Sequence, residues 1–323
     1  MHLGRRAALG GVLATALGMR TNAQVWPSEP ISWIVPFAAG GVNDAFARPI
    51  AALVATALGK PVVIDNRSGA GGTIGAAMAA REPADGYTML VANTAHTYAP
   101  VIYPNAGFDL LRDFAPISAF ARVQQALVVN PAMLDVADLA QFIERARQIP
   151  EAIDVASPGV GSVPHLAIEL LEARADIKLH HIPHRGSPQA IQAVLGGHIA
   201  AVFNPVANLI DHVRAGKLRV LGIAGRRREA LLPDVPTMHE AGLADFRVVA
   251  WTGLFGRAGT PDAILDRVHG AVQESLESDI VKRGWAEQGA KVEPESRAEF
   301  AHFVSQEVER WKGIANAAEI DID

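Results

Sequence analysis

The sequence has no cysteine, no basic block and no apolar run long enough to span a membrane. The absence of cysteine excludes thiolate catalysis, cysteine-ligated zinc and iron–sulfur clusters. No Gly-x4-Gly-Lys-Ser/Thr pattern occurs, which excludes a P-loop. The formal net charge is −5, so nucleic acid is not an expected partner.

What is present is a large apolar content. Half of the 323 residues are apolar and a fifth are charged, which predicts a sizeable core without extensive disorder. The length suits two domains better than one. A folded chain of this size does not need disulfides, which is compatible with an exported protein.

The first 23 residues have the pattern of a targeting segment. MHLGRR supplies positive charge, AALGGVLATALG a short apolar run, and Thr21-Asn22-Ala23 a small-residue cleavage pattern. An amphipathic first helix is the alternative. The pair Arg5-Arg6 permits a twin-arginine route without establishing it. We therefore expect a signal peptide over residues 1–23 and a periplasmic location.

Apolar strand-like runs alternate with helix-like segments along the chain. This alternation predicts an α/β fold with a parallel sheet covered on both faces. The strand-like runs are 31–37, 61–65, 87–93, 126–131, 153–159, 178–183, 199–205 and 218–225. The helix-like segments are 45–59, 73–82, 136–148, 163–175, 187–197, 261–278 and 297–319. Two such series predict two lobes, residues 24–122 plus 225–323 and residues 123–224.

Ligands of such sheets bind where the carboxyl ends of strands meet helix N-termini. The loops that qualify are 38–44, 66–73 and 92–96 in the first series, and 157–165 and 183–188 in the second. In the second of these loops Gly69 and Gly71 are followed by Gly75, one residue too late for a dinucleotide fingerprint. The expected role of this loop is anion binding through its backbone amides, and a tight strand-to-helix turn is the alternative. In the first loop, Gly40 and Gly41 precede Asp44, which we expect to cap the next helix.

Catalytic and metal-binding patterns are weak. His180 and His181 point to opposite faces of a strand, and the histidine spacing does not match a helical zinc motif. We expect no metal and no cofactor, and place His165 at the cleft. Ser162 lacks a nucleophile elbow and is interpreted as a helix N-cap or a donor to an anion. Arg185 either holds a ligand carboxylate or pairs with a surface acid.

Several segments, in order, resemble the substrate-binding proteins of tripartite tricarboxylate transporters, the Bug family. They include VPFAAGGVNDAFAR (35–48), GKPVVIDNRSGAGGTIGA (59–76), GVGSVPHLAIELL (159–171) and HIPHRGSPQAIQAVLGGHIAAVF (181–203). The resemblance runs from about Trp26 to Trp311. It implies a two-lobed type II periplasmic binding-protein fold with a ligand cleft between the lobes.

The resemblance also implies a ligand, a small organic acid or dicarboxylate held largely by backbone amides of the first two loops. This chain departs from the family's usual pattern at Ile182-Pro183-His184-Arg185-Gly186 and at Gly40-Gly41-Val42-Asn43-Asp44. The expected ligand-binding residues are Phe37, Ala39, Gly40, Gly41, Asn43, Asp44, Ala70, Gly71, Gly72, Thr73, Asn93, Thr94, Ser157, Gly161, Ser162, His165, Arg185 and Asn204.

The function expected from the resemblance is that of a non-catalytic, monomeric receptor that delivers its acid to membrane permease subunits. Two alternatives remain. A sensor would pass ligand occupancy to a two-component system. An exported α/β hydrolase would use Ser162 and His165, although the sequence offers no acid–base pair to support it.

Overall fold

The computed structural model describes residues 26–103, 105–291 and 294–317. The expected signal peptide lies outside these residues. The strands are β1 Ile31–Val35, β2 Val62–Asn66, β3 Thr88–Asn93, β4 Phe114–Val129, β5 Asp154–Ser157, β6 His180–Pro183, β7 Ala201–Pro205, β8 Arg219–Ile223, β9 Val249–Arg257 and β10 Ala290–Lys291. The helices are α1 Val42–Leu58, α2 Thr73–Ala79, α3 Ala95–Ile102, α4 Leu110–Asp113, α5 Leu139–Gln148, α6 Val163–Ala175, α7 Ser187–Leu195, α8 Ile210–Arg214, α9 Asp262–Leu276, α10 Asp279–Glu287 and α11 Arg297–Ala317.

The strands form one curled, mixed sheet in the order β2-β1-β3-β9-β4-β7-β5-β6, with β8 and β10 also paired to β4. Strands β1 to β3 are mutually parallel, as are β5 to β7. The prediction of a parallel sheet is wrong at the centre, where β9 and β4 run antiparallel to their neighbours. Strand β9 enters between β3 and β4 without the helical crossover that a parallel neighbour requires.

Strand β4 joins the two halves of the sheet. Its residues up to Gln124 pair with β9, and those from Gln125 onward pair with β7. The chain returns from β8 to the first half after Ile223. These two connections lie next to the boundaries expected from the sequence, and the division into two independent lobes stays a prediction.

Helices cover both faces of each half. Helices α1 and α9 bury one face of the first half, where Trp33 is fully buried and stacks on Phe120 at 5.5 Å. Side chains of α3 and α11, among them Tyr98 and Trp311, pack into the core of the second half. Burial of each large apolar side chain stabilises the fold by about 1.5–3 kcal/mol.

Most elements of the two βα series occur where the sequence predicts them, and α6 has the predicted bounds. The N-terminal part of β4 and the helices α3 and α10 were not predicted. Across the described residues, none of the helices has both the length and the apolar character needed to cross a membrane.

Candidate functional site

A cavity of about 500 Å³ lies where loops from the two halves of the sheet face each other; we call it the central cavity. Residues from β3, β4, β9, α1, α3 and the end of α10 line it together with loops of the second half. Its lining consists of Phe37, Val42, Asn43, Phe46, Gly71, Asn93, Thr94, Ala95, Tyr98, Ala99, Ile102, Tyr103, Ala121, Val123, Pro158, Gly159, Val160, Gly161, Ser162, Val163, Pro205, Ala207, Asn208, Ala250, Trp251, Thr252, Glu287 and Gln288.

The Gly40 loop, residues 36–41, uses its own amides. The N–H of Gly40 donates to Asp44 Oδ2 at 2.8 Å, and the N–H of Gly41 donates to the Ala38 carbonyl at 3.1 Å. These two amides, expected from the sequence to face a ligand, therefore already form hydrogen bonds within the protein, one to α1 and one within the loop. Ala39 is exposed and does not line the cavity.

The Asp44 carboxylate stabilises the Gly40 loop by accepting a hydrogen bond from the Gly40 N–H. The prediction that it caps the helix is wrong, because α1 begins at Val42 with Gly41 as its N-cap. The buried carboxylate of Asp44 also accepts from Arg48 Nε at 2.7 Å and Asn66 Nδ2 at 3.0 Å. Burial alone would raise the pKa of Asp44, but these hydrogen bonds lower it below its usual value.

Three polar side chains meet at the cavity wall: Asn43 on α1, Asn93 at the end of β3 and Thr252 on β9, here called the Asn43 cluster. Asn43 Oδ1 accepts from Asn93 Nδ2 at 3.2 Å and from Thr252 Oγ1 at 3.0 Å. These bonds fix the orientation of the Asn43 amide. Its NH2 group forms no hydrogen bond to any residue that the structure describes, so two oriented donors are available at the wall.

The Gly71 loop, residues 67–72, lies beside this cluster. It contains a 3-10 turn, Ala70–Gly72, and Gly71 adopts a φ of 62°, which favours glycine. A Cβ atom at Gly71 would lie 2.8 Å from the Tyr103 ring. Gly71 lines the cavity, whereas Ala70, Gly72 and Thr73 lie behind it.

A buried histidine supports the Gly71 loop. His96 Nδ1 accepts from the N–H of Asn93 at 3.1 Å, and its Nε2 lies close to Gly72. The ring packs on Phe37 and Phe108, with centroid distances of 5.8 Å to each. Burial lowers the pKa of His96 to about 4, so the imidazole is neutral at pH 7.

The Thr94 side chain ties α3 to β9. Its Oγ1 accepts from the N–H of Trp251 at 2.8 Å, and its own N–H donates to the Trp251 carbonyl. Thr94 lines the cavity and is almost fully buried. These hydrogen bonds fix the start of α3 beside the central cavity.

On the opposite side lies the Gly161 loop, residues 158–162. The N–H of Gly161 donates to His165 Nδ1 at 3.1 Å, and its carbonyl accepts from the Tyr98 hydroxyl at 2.8 Å. Ser162 is the N-cap of α6, as the sequence predicts, and accepts from the His165 N–H. Tyr98 thus links α3 to this loop, and burial raises its pKa.

Two stacked histidines lie beneath the Gly161 loop. The rings of His165 and His181 are 4.0 Å apart and nearly parallel. His181 Nε2 lies 2.6 Å from Ser157 Oγ, and His165 Nε2 lies 3.3 Å from Glu169 Oε1. Burial and the neighbouring histidines lower the pKa of His181 to about 3. Ser157 and His165 therefore support the loop from behind the cavity wall.

Two further predicted site residues lie away from the lining. Arg185 is exposed, and its backbone N–H donates to Gln189 Oε1 at 3.2 Å. Asn204 is fully buried, and its Oδ1 accepts from the side chain of Asn208, which does line the cavity.

Sequence reasoning missed several lining residues. Tyr98 and Tyr103 follow the 92–96 loop closely, and a helix starting there would have indicated them. Thr252 and Glu287 had no comparable signal, because β9 and α10 reach the cavity only through long-range packing. In the described parts of the chain, no group of three or more histidine or acidic side chains is arranged to hold a metal ion.

The mixed α/β fold with its curled sheet is that of periplasmic solute-binding proteins. A match to the tripartite tricarboxylate transporter family receptor covers residues 46–320, and the chain belongs to that family. Receptors of this family are periplasmic solute-binding proteins.

Relatives support the same assignment. BugT of Bordetella pertussis is 33% identical over 318 residues, 97% of each chain. The Rhodopseudomonas palustris protein Rpa4515, solved with adipate, is 31% identical with a TM-score of 0.76 over 92% of this chain and 99% of that one. MatC of the same organism, with bound malate, is 32% identical with a TM-score of 0.74 over 90% and 99%.

Proposed function

We propose that this chain is a receptor that binds a small organic acid in the central cavity and delivers it to membrane permease subunits. In this proposal the two halves of the sheet act as lobes that close over the acid. A signal peptide over residues 1–23 directs the chain to the periplasm. The adipate and malate bound by related proteins support an organic acid as the ligand.

The observation that carries the proposal is the orientation of the Asn43 amide. Its oxygen is occupied by Asn93 and Thr252, so its NH2 group can donate to a carboxylate without rearrangement. Such preorganisation reduces the entropic cost of binding. The amides of Gly40 and Gly41 already form hydrogen bonds within the protein. The Asn43 side chain is therefore a better candidate for the carboxylate contact than the backbone of the Gly40 loop.

The hydrolase alternative receives no support from Ser162 and His165. The Ser162 hydroxyl accepts from the backbone N–H of His165, while the imidazole bonds to Gly161 and lies near Glu169. A serine nucleophile requires its hydroxyl to bond to the imidazole of the base. Ser162 therefore acts as a helix cap, which gives no support to a catalytic role for this residue.

Calorimetry and thermal unfolding with a panel of organic acids test the binding step. A true ligand at 100 times its dissociation constant is expected to stabilise the fold by about 2.7 kcal/mol. Asn43→Asp retains the oxygen that Asn93 and Thr252 require but replaces the donor by a negative charge. We expect it to weaken acid binding by about 100-fold or more.

The matched control is Gln148→Glu, which adds the same charge on the exposed face of α5. It is expected to leave acid binding unchanged. Absence of binding across a broad panel of acids, or equal binding by Asn43→Asp and by the control, would overturn the proposal. Uptake measured in cells with and without the chain tests delivery: unchanged uptake of a bound acid would favour sensing.

A further inference from the structure

The lining of the central cavity differs in chemistry from one part to another. Gly71 lies against Tyr103, and Ile102 approaches Gly161. At the end of α10 the lining includes Glu287 and Gln288, and the next residue, Gly289, packs against Ala207. The Asn43 cluster supplies donors at the wall, whereas Glu287 brings a carboxylate to the lining.

No lysine, arginine or histidine is among the described residues that line the cavity. Glu287 is exposed at the end of α10 and forms no ion pair within the described parts of the chain. Its negative charge is therefore not neutralised by a neighbouring side chain there. A second carboxylate near Glu287 would meet a like charge, with no cation in the described lining to offset it.

Much of the remaining wall is apolar. Phe37, Val160 and Val163 contribute side chains, and Val160 is 46% exposed although it is a large apolar residue. Apolar walls favour a ligand body without charge, since a buried charge requires partners that these side chains lack.

We propose that the central cavity selects organic acids with a single carboxylate on an apolar body, and that Glu287 disfavours acids with a second carboxylate at the far end. This inference rests on the proposed function and specifies its ligand class. The single carboxylate meets the donors of the Asn43 cluster, and the far group of the ligand lies towards Glu287, Gln288 and Asn208.

Three acids with the same six-carbon chain test this selection by calorimetry: hexanoate, adipate and 6-aminohexanoate. Their far groups are neutral, negative and positive. We expect adipate to bind at least about tenfold more weakly than hexanoate, and 6-aminohexanoate to bind at least as tightly as hexanoate. The Glu287 carboxylate attracts the positive far group of 6-aminohexanoate and repels the negative far group of adipate.

The variant Glu287→Gln tests the contribution of the Glu287 charge to this selection. It is expected to strengthen adipate binding by about tenfold, to weaken 6-aminohexanoate binding, and to leave hexanoate unchanged. Glu274→Gln is the matched control, because it removes the same charge from an exposed position on α9. The control is expected to change none of the three affinities.

The outcomes separate the two proposals. Binding of adipate as tight as that of hexanoate, or an unchanged preference in Glu287→Gln, would overturn the selection while leaving the receptor function in place. If neither these acids nor any in the wider panel bind, the proposed function itself fails.

Discussion

The two loops that face each other across the central cavity are held by opposite chemistry. The Gly40 loop depends on an ionised carboxylate, because Asp44 accepts from Gly40, Arg48 and Asn66. The Gly161 loop depends on imidazoles, because Gly161 donates to His165, which stacks on His181. A carboxylate and an imidazole respond to acid in different pH ranges, so the two sides of the cavity are expected to lose support separately.

The largest expected effect is the loss of stability in mild acid. The pKa of His181 is lowered to about 3 and that of His96 to about 4, whereas an unfolded histidine titrates near 6.5. Between these values the unfolded chain binds more protons than the folded chain, so stability falls as the pH is lowered. Each histidine is expected to cost about 2 kcal/mol of unfolding free energy between pH 7 and pH 5.

Denaturant unfolding at pH 7 and pH 5 measures this loss. His181→Gln is expected to remove its share of the pH dependence, because glutamine does not titrate. His302→Gln replaces an exposed imidazole on α11 and serves as the control, with the pH dependence retained. Equal pH dependence in wild type and His181→Gln would show that the stacked pair is not the acid-sensitive support.

The Gly40 loop, which the Asp44 carboxylate stabilises, is expected to keep this support until a lower pH. The lowered pKa of Asp44 gives a contribution that is present above the unfolded value of 3.8 and is lost as the pH falls through the folded pKa. Asp44→Asn removes this contribution at pH 7. Loss of the charge and of a well-placed acceptor is expected to destabilise the fold by about 2 kcal/mol and to weaken acid binding.

Asp65→Asn is the matched comparison. Asp65 pairs with Arg67 at the surface, where an ion pair contributes about 0–1 kcal/mol. Unfolding and calorimetry at pH 7 are expected to rank Asp44→Asn well above Asp65→Asn. Similar effects of the two substitutions would mean that Asp44 does not organise the Gly40 loop.

A smaller loss of stability is expected from the hydrogen bond that joins α3 to the Gly161 loop. The Tyr98 hydroxyl donates to the Gly161 carbonyl, and Tyr98→Phe removes this bond while keeping the buried ring. The expected cost is about 1 kcal/mol of unfolding free energy, with a several-fold weaker affinity for acids. Thermal unfolding measures the first and calorimetry the second; an unchanged affinity would exclude the bond from ligand binding.

Much of the fold could be predicted because its signals are local. The apolar runs of β1, β3 and β5 and the capping serine before α6 lie within short stretches of sequence. The centre of the sheet could not, because the insertion of β9 between β3 and β4 depends on contacts more than a hundred residues apart. Polar residues such as Gln124 and Gln125 also interrupt the apolar pattern of β4.

For the candidate site, the sequence indicates the loops around Gly40, Gly71 and Gly161 but not the hydrogen bonds that their amides form. Whether the amide of Gly40 is available depends on where α1 begins: a start at Val42 puts Asp44 within reach of that amide. A difference of one or two residues in a helix boundary decides this, and sequence patterns do not determine boundaries that closely.

Glu287 also has a consequence for how fast an acid arrives. An anion that approaches the cavity meets this carboxylate and a chain with a formal net charge of −5. Association is therefore expected to be slow at low ionic strength and to quicken as salt shortens the Debye length to about 10 Å at 0.1 M. A receptor with this arrangement would gain its affinity from long residence of the acid, not from rapid capture.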